Sequence, residues 1–163
     1  MTQSNDVFRT MSQEEAETLF REMQQELRPL YDQCARVAAD TLRVRPVFLS
    51  KQKLPKRASM MRKALALKGN AEASAELLAA YLLEKYAEDL GELLDAFGIE
   101  HEEGVLKDEA PASPDKKTLE KVVAEFPQGD KKIMRGVLLK AFAAQSAIDW
   151  PELDALVLQT EAA

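Results

Sequence analysis

One histidine and one cysteine, His101 and Cys34, restrict the chemistry of this chain more than any other feature. A serine or cysteine triad needs a histidine base beside a nucleophile and an orienting acid. His101 lies in an acidic stretch, Glu100-His101-Glu102-Glu103, and no second histidine follows it at HExxH spacing. Together with Asp108 and Glu109 that stretch offers oxygen and imidazole donors to a divalent cation. Neighbouring loop residues diverge where a metal needs convergence, so a solvated acidic loop is the expected reading. Cys34 falls on the inward side of an apolar stripe, where a thiol is held protonated and behaves as a small hydrophobe. The glycines at 69, 91, 98, 104, 129 and 136 are dispersed and make neither a GxGxxG nor a P-loop. Glu84, Glu88, Glu92 and Asp95 follow one another at helical spacing. Diiron bundles, however, combine inward glutamates with Glu-x-x-His, and these acids read as a wet helix face. No catalytic, metal-binding or cofactor-binding residue is nominated, and a non-enzymatic protein is expected.

The strongest chemical signal is charge segregation. Arg43, Arg45, Lys51, Lys53, Lys56, Arg57, Arg62, Lys63 and Lys68 fall in one segment with no acidic residue among them, in a chain whose net charge is −6. Such a strip suits phosphates or an acidic partner surface. It could equally lie across the protein's own acidic helices and close the fold. Against nucleic acid, Phe48 is the one aromatic available for stacking, and the following helix carries Glu72, Glu76, Glu84, Glu88 and Asp89. A helix-turn-helix reader is therefore not expected.

The elements that must position these groups read as helices. Ser12 and Glu15 form a capping box. Behind it Phe20, Met23, Leu27, Leu30, Cys34 and Val37 make one stripe running to about Leu42, with a kink or a join of two helices at Pro29. The segment 43–56, with Pro46 and Pro55 around Val47, Phe48 and Leu49, reads as an extended connector. A short helix with Met61, Ala64 and Leu65 inward stops at Gly69. Asn70 then caps the longest helix, whose apolar face runs Leu78, Leu82, Tyr86, Leu90, Leu93, Leu94 and Phe97. Residues 98–113 are acidic, lack helical periodicity and read as a surface loop. Three helices follow: one opened by Ser113-Pro114 with Leu119, Val122, Val123 and Phe126, and one capped by Asp130 with Ile133, Met134, Val137, Leu138 and Phe142. The last opens on an Asp149/Glu152 capping box with Leu153, Leu156 and Val157 inward.

The expectation is an all-α compact bundle of about six helices in a single domain over 12–163, with a flexible N-terminus over 1–11. Two duplicated units, 12–97 and 114–160, joined by the loop 98–113, are an alternative organisation. It rests on the set Leu19, Phe20, Met23, Leu27, Leu30, Tyr31, Cys34 recurring as Leu82, Leu83, Tyr86, Leu90, Leu93, Leu94, Phe97. The stripes match no helical-repeat consensus. A polar start without a signal-like apolar stretch, no run long enough to span a bilayer and a lone cysteine point to a cytoplasmic protein with no membrane association. The functional expectation is a helical protein-protein interaction or adaptor module with a protein partner. The alternative is a nucleic-acid-associated accessory protein that uses the basic segment 43–68 on phosphates.

Overall fold

The computed structural model describes residues 3–102, 105–145 and 148–158. The chain is mainly α-helical, with ten α-helices, one 3₁₀ turn and one two-stranded hairpin among those residues. The ten exceed the expected six because two long stripes are broken and two short helices lie where none was expected.

The first of these is α1 (Ser4–Thr10), in the segment expected to be flexible. Val7, Phe8 and Met11 are completely buried, and the helix packs on α5, α6 and α9. Its two apolar side chains and one methionine are too few to show a period, so tertiary burial and not local pattern orders it. Helix α2 (Gln13–Glu26) opens on the expected capping box: Glu15 N–H donates to Ser12 Oγ at 3.0 Å and Ser12 N–H to Glu15 Oε1 at 2.9 Å. Leu27 then leaves helical geometry (φ −133°, ψ 62°), and α3 (Arg28–Leu42) begins with Pro29 in its first turn, where the missing amide costs little. The stripe is therefore two abutting helices.

Residues 46–50, expected to be extended, form the short helix α4 (Pro46–Ser50), started by Pro46 and anchored by the buried Leu49. Helix α5 (Leu54–Leu65) buries Ala58, Met61, Ala64 and Leu65 against α1, α2 and α3, and a 3₁₀ turn (Lys68–Asn70) leads out of it. The expected long helix is also two, α6 (Ala71–Lys85) and α7 (Ala87–Ala96), broken at Tyr86 (φ −129°, ψ 26°). Asn70 stands at the N-cap of α6 but does not cap it; its amide donates instead to Thr41 Oγ1 and the Ala64 carbonyl. The two breaks, Leu27 and Tyr86, occupy non-equivalent places in the recurring apolar set, so that recurrence does not repeat the local geometry.

The acidic segment holds a small antiparallel hairpin, β1 (His101–Glu102) with β2 (Val105–Leu106), pairing His101 with Leu106 and Glu102 with Val105. Helix α8 (Lys116–Glu125) starts two residues later than Ser113-Pro114 suggested, with Asp115 Oδ1 accepting from Thr118 N–H at 2.8 Å. Helix α9 (Lys132–Ala143) is led by Lys131 and not by Asp130. In α10 (Pro151–Val157) the residue at the cap is Trp150, Leu153 and Val157 are buried, and Leu156 faces outward. No helix among the described residues is long and apolar enough to cross a membrane.

Candidate functional site

Helix α5 divides its residues cleanly. Its inner face is the buried set above; its outer face carries Lys53, Lys56 and Lys63, all exposed, with the half-buried Met60 between them. Of the nine cations of the basic segment, Arg43, Arg45, Lys51, Lys53, Lys56, Lys63 and Lys68 are exposed. Arg57 and Arg62 are half-buried and work inward. Arg57 donates to the Gln52 carbonyl at 2.7 Å and to Gln24 Oε1 at 3.1 Å, and Arg62 donates to the Phe8 carbonyl at 3.3 Å. Arg57 also faces Tyr31, whose hydroxyl burial pushes up in pKa and the guanidinium partly brings back.

Among the described residues none of the nine forms an ion pair with the protein's own acids. The segment packs on the rest of the chain through the apolar face of α5 and through three arginine-to-oxygen hydrogen bonds. The seven outer cations remain as uncompensated positive surface. Within it, α4 exposes Val47 to 60% and Phe48 to 46% of their full area. Two cations precede this pair, Arg43 and Arg45, and two follow it, Lys51 and Lys53. Arg43 holds a left-handed backbone (φ 56°) as the residue that ends α3, a conformation that favours glycine.

A second feature was not read from the sequence. Between α6 and α9 runs a mainly apolar groove of about 790 Å³, whose lining also takes in Gln3, Ser4, Lys68, Glu72 and Leu90 of α7. Along α6 its wall is Ala71, Ala75, Ala79 and Leu83 at four-residue spacing, backed by Leu78 and Leu82; across from them stand Leu138, Ala141, Phe142 and Gln145. Helix α6 buries Ser74, Leu77, Leu78, Tyr81 and Leu82, and its groove side extends that apolar surface through Ala71, Ala75, Ala79 and Leu83. The sequence signal was present in the run of alanines and leucines. A helix whose apolar arc is wider than one core contact has a second surface to cover.

The groups weighed for chemistry and set aside are engaged elsewhere. His101 Nε2 lies 2.8 Å from Asp95 Oδ1, and the ring packs over Gly91, where a Cβ would stand 3.3 Å from His101 Cε1. Among the described residues no three ligating side chains converge on a metal-sized space; Glu103 lies outside those residues. Cys34 is buried beside Met23 Sδ at 3.9 Å, and burial pushes its thiol up to about 12. Tyr81 and Tyr86 both donate to Glu22 Oε2 at 2.8 Å. Burial first, and the Glu22 carboxylate second, hold both phenols protonated well above their ordinary range.

Of the acids read as a wet face, Glu92 is ion-paired with Arg135 and Asp95 lies within hydrogen-bond distance of His101, and their neighbour Asp89 is 3% exposed. Asp89 accepts from Lys131 Nζ at 3.2 Å and from Arg135 Nε at 3.1 Å, and Arg135 also reaches Glu92 and the Phe126 carbonyl. This cluster ties α7 to α9. No protein-family model, no curated protein and no solved structure matches the chain.

Proposed function

We propose that this protein is a non-enzymatic helical interaction module whose groove between α6 and α9 receives one amphipathic helix of a partner protein. The observation that carries the reading is the groove's length and ridge pattern. Its α6 wall runs from Ala71 to Leu83, about 18 Å at the helical rise, which matches about three turns of a helix laid along it. The four-residue ridge Ala71, Ala75, Ala79, Leu83 is the surface on which ridges-into-grooves packing is built, with small residues allowing close approach. The partner segment is about three turns long, with apolar residues at i, i+3 or i+4, and i+7 on one face.

The test uses the full chain with a photo-crosslinking amino acid at position 79, activated in cells. The expected product is a cross-link to one segment of one other protein with that apolar spacing, lost when Ala75→Arg is added. Cross-links confined to the chain itself or to a second copy of it, or cross-links that survive Ala75→Arg, would overturn the proposal.

A further inference from the structure

The ledge made by α4 and the exposed cations that flank it, Arg43, Arg45, Lys51 and Lys53, shares no residue with the groove, and the geometry points to an anionic lipid bilayer as its contact. Three observations converge on it. No acidic residue occurs between Asp40 and Glu72, so the whole ledge presents positive charge without an internal counter-ion, and none of its cations is ion-paired among the described residues. At its tip two adjacent apolar side chains, Val47 and Phe48, are 60% and 46% exposed, while Leu49 pins the short helix from behind. Cations bracket that pair on both sides in sequence, Arg43 and Arg45 before it, Lys51 and Lys53 after it. A bilayer surface offers phosphates at one depth and apolar matter just beneath. That order matches a tip whose apolar pair enters while the flanking cations stay at the headgroups. An apolar insertion together with a polybasic flank supplies the two signals that peripheral anchoring requires.

Nucleic acid is the poorer match. Val47 cannot stack on a base, a phosphate backbone has no apolar layer to receive it, and Phe48 is the one aromatic of the segment. The acidic remainder of the chain does not forbid approach to an anionic membrane, because at physiological salt its repulsion is screened beyond about 8 Å. Arg43 ends α3 in the left-handed region, where glycine is favoured and the cost of a cation is partly offset by the carbonyl end of the helix.

The experiment is co-sedimentation of the full chain with vesicles of phosphatidylcholine alone and of phosphatidylcholine with phosphatidylglycerol, at low and at raised salt. Free single- and double-stranded DNA are run in parallel by fluorescence anisotropy. Binding to the anionic vesicles only, weakened by salt, is expected. Phe48→Ala should weaken it about tenfold, since roughly half of that ring is newly buried on contact. Lys51→Glu with Lys53→Glu should weaken it at least about 25-fold, each surface cation being worth about fivefold. Arg43→Gly separates function from fold: it should raise the melting temperature while weakening vesicle binding about fivefold. Equal binding to neutral vesicles, no vesicle binding, indifference to Phe48→Ala in a variant of unchanged circular dichroism, or salt-sensitive DNA binding without vesicle binding would each overturn the inference. Because position 79 lies on the groove and not on the ledge, a failure here leaves the cross-linking result standing, and the reverse holds too.

Discussion

Replacing Asp89 with alanine should destabilise the protein by about 3 kcal/mol, the low end of the range for breaking a buried ion pair. The carboxylate is 3% exposed and takes hydrogen bonds from Arg135 and Lys131. Two facts place the effect at the low end. The Arg135 side chain is 20% exposed and keeps Glu92 and the Phe126 carbonyl, and Lys131 is 57% exposed and returns to water. For a chain of 163 residues, each kcal/mol moves the melting temperature by about 3 °C, so the expected fall is about 9 °C.

The pair is isolated by a double-mutant cycle. Arg135→Ala alone should cost about as much, because it strands a buried carboxylate with one exposed lysine; the double variant should recover about 2 kcal/mol of the summed losses. Urea denaturation followed by far-ultraviolet circular dichroism measures all four proteins, and added salt should change the Asp89 effect little, since so buried a group is weakly screened. A loss below about 1 kcal/mol for Asp89→Ala, or a coupling near zero, would show that α7 and α9 are held by apolar packing and that the cluster is a bystander.

Two further outcomes follow from single contacts. Cys34, buried and raised to about 12, should react with a thiol reagent at neutral to mildly alkaline pH about three orders of magnitude more slowly in the native than in the unfolded protein. Its rate should climb with pH throughout the range in which the fold survives; rapid native labelling at pH 8 would mean that the α2–α3 contact opens. Gly136→Ala should gain about 1 kcal/mol of helix propensity yet lower stability overall, because the new Cβ stands 3.0 Å from Glu15 Oε2, whose carboxylate is tied to Ser12 N–H and Lys140 Nζ. A raised melting temperature for that variant would show that Glu15 moves aside at no cost.

Helix existence was legible wherever one apolar face met one polar face: α2, α3, α5, α8 and α9 follow their stripes to within a few residues. What misled was continuity. Tyr86 sits in an unbroken stripe with no proline or glycine beside it, and the break there accompanies its hydroxyl's bond to Glu22, a residue 64 positions away. No local pattern encodes such a partner. The N-terminal helix was missed for a related reason, since a seven-residue element carries too little periodicity and is fixed by what it packs on. The basic segment was legible as composition and its buried side as a stripe, whereas the exposure of Val47 and Phe48 depends on residues 46–50 being helical instead of extended. The groove was the least legible, because a line of alanines and leucines on α6 reads as core until a second helix is seen not to cover it.

Lys68 is both the last cation of the basic segment and a lining residue of the groove. Reversing its charge would therefore disturb either contact and discriminate neither. Lys51, Lys53 and Phe48 are exposed and on or beside a short helix whose anchor is Leu49, so their substitution should leave the packed face of α5 intact. Ala75 and Ala79 lie on the groove face of α6, away from the Leu77, Leu78 and Tyr81 positions that hold that helix in the core. Each surface thus has residues whose loss costs binding and not folding, which exposed positions of this kind permit at a few tenths of a kcal/mol, about 0.5 at most. The 3₁₀ turn at Lys68–Asn70 joins them, held by the Asn70 side chain to α3 and to the last turn of α5. With that joint fixed, a chain resting on a bilayer through α4 would hold the groove at one set orientation to the membrane, and a helix bound there would be presented in the same direction every time.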